Sequence, residues 1–254
     1  MSSLLAVGVE GIGELRAGDD LAALVAAAYE RQGMALEDGD VLCIAQKAVS
    51  KVEGRELELA AVAPSARALE IAGGEEDPRF IELVLRESTA IVRRRGAFLV
   101  CETRHGHICA SAGVDRSNAS GPGRAILLPV DPDASARRLR HELAARADVA
   151  IVITDSFGRP FRRGTTGVAL GASGLAPVVR LAGTLDSAGR RLENTEVHVA
   201  DAVASTAELV LGQVGGVPAV LVRGLAFARA DEGAVSGLIP AARDLFRASG
   251  RASG

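Results

Sequence analysis

DVLCIAQKAVSKVEG (residues 40–54) and VAIVITDSFGRPFRRG (residues 149–164) decide the fold. Each carries an apolar run, Val41–Ala45 and Val149–Thr154, and the first reads as a buried strand and the second as an apolar strand. Asp38, Gly39 and Asp40 punctuate the first run, and QKAVSKVEG continues it with helical spacing, so a strand, a turn and a helix follow one another. Working outward, Asp19 and Asp20 precede the periodic segment LAALVAAAYERQG as caps, and FIELVLRES after Pro78 reads as another helix. AFLVCET and HICASAGV, separated by Arg104, His105 and Gly106, have hairpin spacing and predict an antiparallel pair.

Downstream, the turn-rich DRSNASGPGR leads to a strand AILLP and a helix over about residues 134–146. The Gly- and Arg-dense stretch GRPFRRGTTGVALGASG reads as a long loop. A strand PVVRLAGTL, a helix VADAVASTAELVLGQ, a strand PAVLVRG and a short C-terminal helix complete the pattern. Alternating strands and helices argue for a mixed α/β fold. No internal repeat or linker breaks the chain.

The 254 residues suffice for one large or two small domains. Apolar residues make up 48% of the chain but aromatics only 3%, so the core must be built from Ala, Val, Leu and Ile. The 29 basic and 32 acidic residues leave a net charge of −3, which supplies no global field for nucleic acid. No stretch approaches the roughly 20 apolar residues of a membrane span, and the N-terminus lacks the positive region of a signal peptide. A cytoplasmic protein with no membrane or nucleic-acid partner is expected. Cys43, Cys101 and Cys109 lack paired zinc spacing, and two of them sit in apolar runs as small hydrophobes.

Asp115 and Asp155 each follow an apolar run, where open α/β sheets place ligand groups. Two carboxylates with phosphate oxygens suit Mg²⁺ or Mn²⁺; the bland alternative for each is a turn or a helix cap. Ser156 offers a hydroxyl ligand or an N-cap. Lys47 and Lys51, four apart, share one helical face and either hold an anion or form a solvated basic face. Arg159, Arg162 and Arg163 are candidates for clamping an anionic substrate, or for a solvated loop. His105, His107, His141 and His198 match no zinc motif, and neither LGQVGGVP nor GVALGASG matches a Walker A or dinucleotide fingerprint.

Six segments in order, GIGELRAGDDL, DVLCIAQKAVSKVEGR, AGVDRSN, LLPVDPDASARRLR, VITDSFGRPFRRG and LVLGQVGGVPAVLVRG, resemble the coenzyme F420:L-glutamate ligase family over nearly the whole chain. The resemblance implies a GTP-dependent ligase that adds L-glutamate to the terminal carboxylate of the F420 precursor through an acyl phosphate, with further γ-linked glutamates an option. It implies a single catalytic unit over residues 1–254, two intimately packed subdomains with mixed sheets, and an intertwined homodimer; some relatives carry a C-terminal nitroreductase-like domain, which is not expected in these 254 residues. Two divalent ions (Mg²⁺ or Mn²⁺) are implied, with room for a monovalent cation such as K⁺. Asp115 and Asp155 would hold the first metal, and Ser156 and Gln213 the second. GTP would contact Ile12, Gly13, Glu14, Leu15, Gln46, Lys47, Lys51, Asn118 and the loop Leu211, Gly212, Gln213, Val214, Gly215, Gly216, Val217, Pro218. Ser156 stands where the family commonly has Thr, Gln46 where it has Ser, and Thr165 where Gln is frequent. The competing readings are another metal-dependent phosphoryl-transfer enzyme and a noncatalytic deazaflavin- or nucleotide-binding relative.

Overall fold

In the computed structural model, which describes residues 3–212 and 216–247, the chain divides into two units. The first comprises Met1–Gly54 and Pro129–Gly237, and the second Arg55–Leu128 and Leu238–Gly254. The second unit is therefore an insertion between the two deciding segments, closed by the C-terminal stretch.

The first unit begins with strand β1 (Leu5–Gly8), helix α1 (Leu21–Arg31), strand β2 (Val41–Ala45) and helix α2 (Gln46–Val52). After the insertion come α5 (Pro132–Leu143), β8 (Ala150–Gly158), β9 (Thr165–Ser173), β10 (Val178–Arg180), β11 (Glu196–His198), α6 (Val199–Leu211) and β12 (Ala219–Arg223). Five strands form one sheet in the order β1-β12-β2-β8-β9. β2 and β8 are parallel, while β12 is antiparallel to both β1 and β2, so β1, β2 and β8 all end at the same edge. Leu42, Ile44, Ile151 and Ile153 bury one face of the sheet with α1, α2 and α5; Val41, Cys43, Ala150 and Val152 bury the other with α6. Both faces being covered explains why these runs are continuously apolar.

Local chemistry sets the helix ends. Asp20 caps α1 by accepting from the Ala23 N–H at 2.9 Å, and Asp131 caps α5 at 2.8 Å from Ala134, with Pro132 at the first helical position. Tyr29, fully buried, donates its hydroxyl to the Val7 carbonyl at 3.0 Å, which ties α1 to β1.

β9 overturns the reading of TTGVALGAS as loop: it is a strand of the main sheet, antiparallel to β8. Its glycines are there for closeness. A Cβ on Gly167 would lie 2.3 Å from the Ala204 carbonyl oxygen of α6, and one on Gly171 would lie 2.3 Å from the Pro132 oxygen of α5. Packing on both faces thus overrides the low strand propensity of glycine.

The second unit contains β3 (Glu56–Glu58), α3 (Ala66–Ala72), α4 (Pro78–Arg86), β4 (Ser88–Arg95), β5 (Phe98–Thr103), β6 (Ile108–Ala110) and β7 (Arg124–Ile126). β4-β5-β6 form one antiparallel sheet and β3-β7 a second. Its own core gathers Ile71, Phe80, Ile81, Val84, Leu99 and Leu127. HICASAGV is a strand only to Ala110, because Ser111, Ala112 and Gly113 take left-handed φ of 51°, 51° and 73°. The expected C-terminal helix is, among the described residues, a pair of 3-10 turns at Ala234–Gly237 and Ala241–Arg243. No helix among the described residues is long and apolar enough to cross a membrane.

Candidate functional site

Sheet register assembles the sequence-predicted residues of the first unit at one edge. Gly8 pairs with Val220, Ala219 with Ile44, and Ala45 with Thr154. The loop 12–15 after β1, the start of α2 after β2, the end of β8 and the approach to β12 therefore leave the sheet side by side. Strand ends that share direction are where α/β sheets collect ligand groups.

Ile12 and Leu15 turn into the core, while Gly13 and Glu14 are exposed. Glu14 accepts from the Lys51 ammonium at 2.5 Å, an ion pair whose lysine side chain is 11% exposed and whose carboxylate is 58% exposed. Sequence spacing predicts both lysines near a helix N-terminus. α2 spans only Gln46–Val52, and Lys51 lies in its last turn. The lysine's charge is therefore positioned by the β1 loop, not by a helix-end amide cluster.

Gln46 is 1% exposed; its Oε1 accepts from the Ser50 hydroxyl at 3.0 Å, but its Nε2 has no partner among the described residues. Thr154, 2% exposed, likewise leaves its Oγ1 unpartnered. Orphaned buried polar atoms are rare and costly, and two at one strand end call for a ligand or water.

Asp155 and Ser156 are part of β8, which runs on to Gly158, so neither caps a helix. Alternation along the strand turns Ser156 toward α6 and Asp155 to the opposite face. The Ser156 amide donates to Asp155 Oδ1 at 2.9 Å, and its hydroxyl donates to Glu208 Oε1 of α6 at 2.6 Å. Glu208 escaped the sequence reading: it sits inside a helical pattern with no motif, and only the contact of α6 with β8 reveals it. Asp155, Ser156, Thr154 and Glu208 offer oxygen donors alone, the chemistry of a hard cation. Among the described residues no three His, Cys, Asp or Glu side chains form a metal cluster. A Mg²⁺-like ion that takes one carboxylate and fills its shell with phosphate and water still fits Asp155 on one face, or Glu208 with Ser156 on the other.

Arg159, Arg162 and Arg163 lie on the exposed β8–β9 hairpin loop around Phe161, which is 92% exposed. Thr165 opens β9 opposite Gly158. Leu211, the last residue of α6, is buried in the core that α6 forms with the sheet, Gly212 ends α6 at φ 58°, and the Pro218 carbonyl accepts from the Ala45 amide at 2.9 Å. Gly216 has φ 64° and Val217 packs against the same core. Gln213, Val214 and Gly215 lie outside the described residues.

Asp115 and Asn118 belong to the second unit. Asp115 bridges Ile126 through its backbone, and its carboxylate accepts from the Ser117 amide at 2.8 Å and hydroxyl at 2.7 Å. Asn118 takes the left-handed φ of 58° that Asn tolerates. Nearby, Glu56 accepts from the Ser120 amide and hydroxyl at 2.6 and 2.7 Å and from Arg124 at 3.1 Å. Of the histidines, His198 caps α6, its Nδ1 accepting from the Asp201 amide at 3.1 Å.

Comparison with known proteins adds the family. The family described as F420-0:Gamma-glutamyl ligase matches residues 11–224. The chain is 45% identical over 247 residues to the coenzyme F420:L-glutamate ligase of Methanothermobacter thermautotrophicus, covering 95% of this chain and 98% of that protein. It is 49% identical over 216 residues to the enzyme so named in Methanopyrus kandleri, covering 84% and 83%, and 46% identical over 230 residues to that of Halobacterium salinarum, covering 87% of each.

Proposed function

The chain belongs to the F420-0:gamma-glutamyl ligase family, and from that premise we propose that it joins L-glutamate by an amide bond to the terminal carboxylate of the F420-0 precursor, at the expense of GTP. A carboxylate does not react with an amine at neutral pH, since its oxygen leaves poorly. Attack of that carboxylate on the γ-phosphorus of GTP releases GDP and gives an acyl phosphate; the glutamate nitrogen then attacks the acyl carbon, loses a proton and expels phosphate. Repetition on the new γ-carboxylate would lengthen the tail.

The observation that carries this reading is the strand-end cluster: an ammonium, oxygen donors and a buried amide donor with no partner among the described residues converge where β1, β2 and β8 end. Lys51 is suited to neutralising phosphate charge, exchanging Glu14 for a phosphate oxygen. Gln46 Nε2 supplies a hydrogen bond to an acceptor on the nucleotide. Asp155, Ser156 and Glu208 would hold divalent cations, which supply charge neutralisation to the transferring phosphoryl group. The exposed Arg159, Arg162 and Arg163 would meet the anionic tail or glutamate. A homodimer and a cytoplasmic setting are part of the same reading.

Purified protein incubated with the precursor, GTP, L-glutamate and Mn²⁺ is expected to give a product heavier by one or more glutamyl residues, with GDP and phosphate formed in step. Phosphate release that ignores glutamate would point instead to a phosphohydrolase. Nucleotide binding without any turnover would point to a noncatalytic relative.

A further inference from the structure

Two of the three cysteines, far apart in function from the strand-end cluster, face each other across a ladder. Cys101 of β5 and Cys109 of β6 are direct antiparallel register partners. Directly opposed residues project to the same side of a sheet, with Cα atoms about 4.5 or 5.5 Å apart depending on the type of pair. Both spacings lie within the roughly 4.4–6.8 Å that a disulfide spans. Leu99, Cys101 and Thr103 alternate as the buried side of β5, so the pair sits on the inner face of the hairpin. Neither cysteine is in a disulfide in the structure. The geometry points to Cys101 and Cys109 as an oxidation site: a dithiol that closes into a cross-strand disulfide in the folded protein.

No third ligand converts the pair into a metal site, since no group of three His, Cys, Asp or Glu among the described residues is placed to hold an ion. Cys43 belongs to the other unit, where it is fully buried beneath α6. Within the pair the thiols differ. Cys101 is fully buried, and burial raises its pKa, while hydrogen bonds from Ser88 and the Ala112 backbone lower it less. Cys109 retains 6% exposure against none for Cys101, so we assign the first attack on an oxidant to Cys109. With a peroxide, the Cys109 thiolate attacks one oxygen of the O–O bond, giving a sulfenic acid and hydroxide, which takes up the proton the Cys109 thiol had released and becomes water. The Cys101 sulfur then attacks the sulfenic sulfur; the S–S bond forms, and hydroxide leaves with the Cys101 proton as a second water. Two thiols lose two electrons and one peroxide becomes two waters. The bond would clamp β6, the strand that leads through the left-handed Ser111–Gly113 turn to Asp115.

The test is to treat the full native chain with excess hydrogen peroxide below its melting transition, quench at intervals, denature, and count thiols. Wild type should fall from three thiols to one, with recovery in dithiothreitol. Trypsin cuts at Arg104, so the disulfide should join peptide 96–104 (GAFLVCETR) to peptide 105–116 (HGHICASAGVDR). Cys101→Ser should instead leave a dimedone-reactive sulfenic acid on Cys109 and no joined peptide. Three surviving thiols, a bond through Cys43, a link between two chains, or over-oxidation of Cys109 without a joined peptide would each overturn the assignment. Since the wild-type peptide map alone decides it, a poorly folding variant does not blunt the test.

Discussion

Lys51 shows how one side chain's role depends on a partner far away in sequence. Spacing put it beside Lys47, whereas the fold puts it against Glu14, 37 residues earlier, at 2.5 Å. In the proposed reaction a phosphate must compete with that carboxylate, which is mostly exposed and so holds the lysine weakly. Lys51→Ala should raise the Kd for GTP by roughly 10- to 100-fold, the worth of a charge-assisted hydrogen bond, and leave the KM for glutamate nearly unchanged; calorimetry on the GTP complex checks it. Asp155 is the sharper case. Asp155→Asn keeps the size and the strand but removes the charge, so ligation should fall by at least about 10²-fold, or roughly 2.7 kcal/mol in transition-state terms. Melting with and without Mn²⁺ separates site loss from unfolding: the ion should stabilise wild type by mass action and the variant much less. Retained Mn²⁺ stabilisation together with normal ligation would remove Asp155 from the metal. Glu208, which accepts the hydrogen bond of the Ser156 hydroxyl, was illegible because no local motif surrounds it.

Strand β9 and helices α3 and α4 carry the next two expectations. Gly167→Ala and Gly171→Ala should each destabilise the first unit by more than the 1–3 kcal/mol usual for overpacking, because backbone oxygens of Ala204 and Pro132 stand 2.3 Å from the new methyl and cannot swing aside. Urea midpoints read this directly, and a wild-type midpoint in either variant would show that the helices can back away. In the second unit, Ser65 caps α3 and its amide donates to Glu82 of α4 at 3.0 Å; the side-chain and backbone hydrogen bonds of Ser65, aided by Arg86, hold the Glu82 pKa below its usual value. A depressed carboxylate contributes stability that is present above its unfolded pKa of about 4.3 and lost as pH falls through the folded value. Glu82→Gln should therefore be less stable than wild type at neutral pH, with the gap closing only in acid. A gap independent of pH would assign Glu82 a purely steric role. Capped helices such as α1 and α5 were legible because their signals are local; β9 was not, because its glycines answer to helices on either side of the sheet.

Across the chain, cores on the two faces of the five-stranded sheet and a further core in the second unit are separate clusters of buried side chains. Ile151→Ala and Leu99→Ala, each removing a buried side chain, should cost about 2–5 kcal/mol apiece. Sharing no partner, they should add to within about 0.5 kcal/mol in the double variant. A larger deviation in chemical denaturation would mean that the two units melt as one. Much of this organisation could be read from the chain alone: the strand runs Val41–Ala45 and Val149–Thr154, the second continuing in the fold to Gly158, the helices, and membership in a ligase family carried by long segments in order. Those features are written in neighbouring residues, through hydrophobic period, caps and contiguous motifs. The order β1-β12-β2-β8-β9, the pairing of Lys51 with Glu14, the hold of Glu208 on Ser156 and the opposition of Cys101 to Cys109 were settled only by folding. Each joins residues through strand register or helix-to-sheet packing, and such long-range contacts leave no periodic trace in the sequence because their partners are chosen by the shared burial of whole elements.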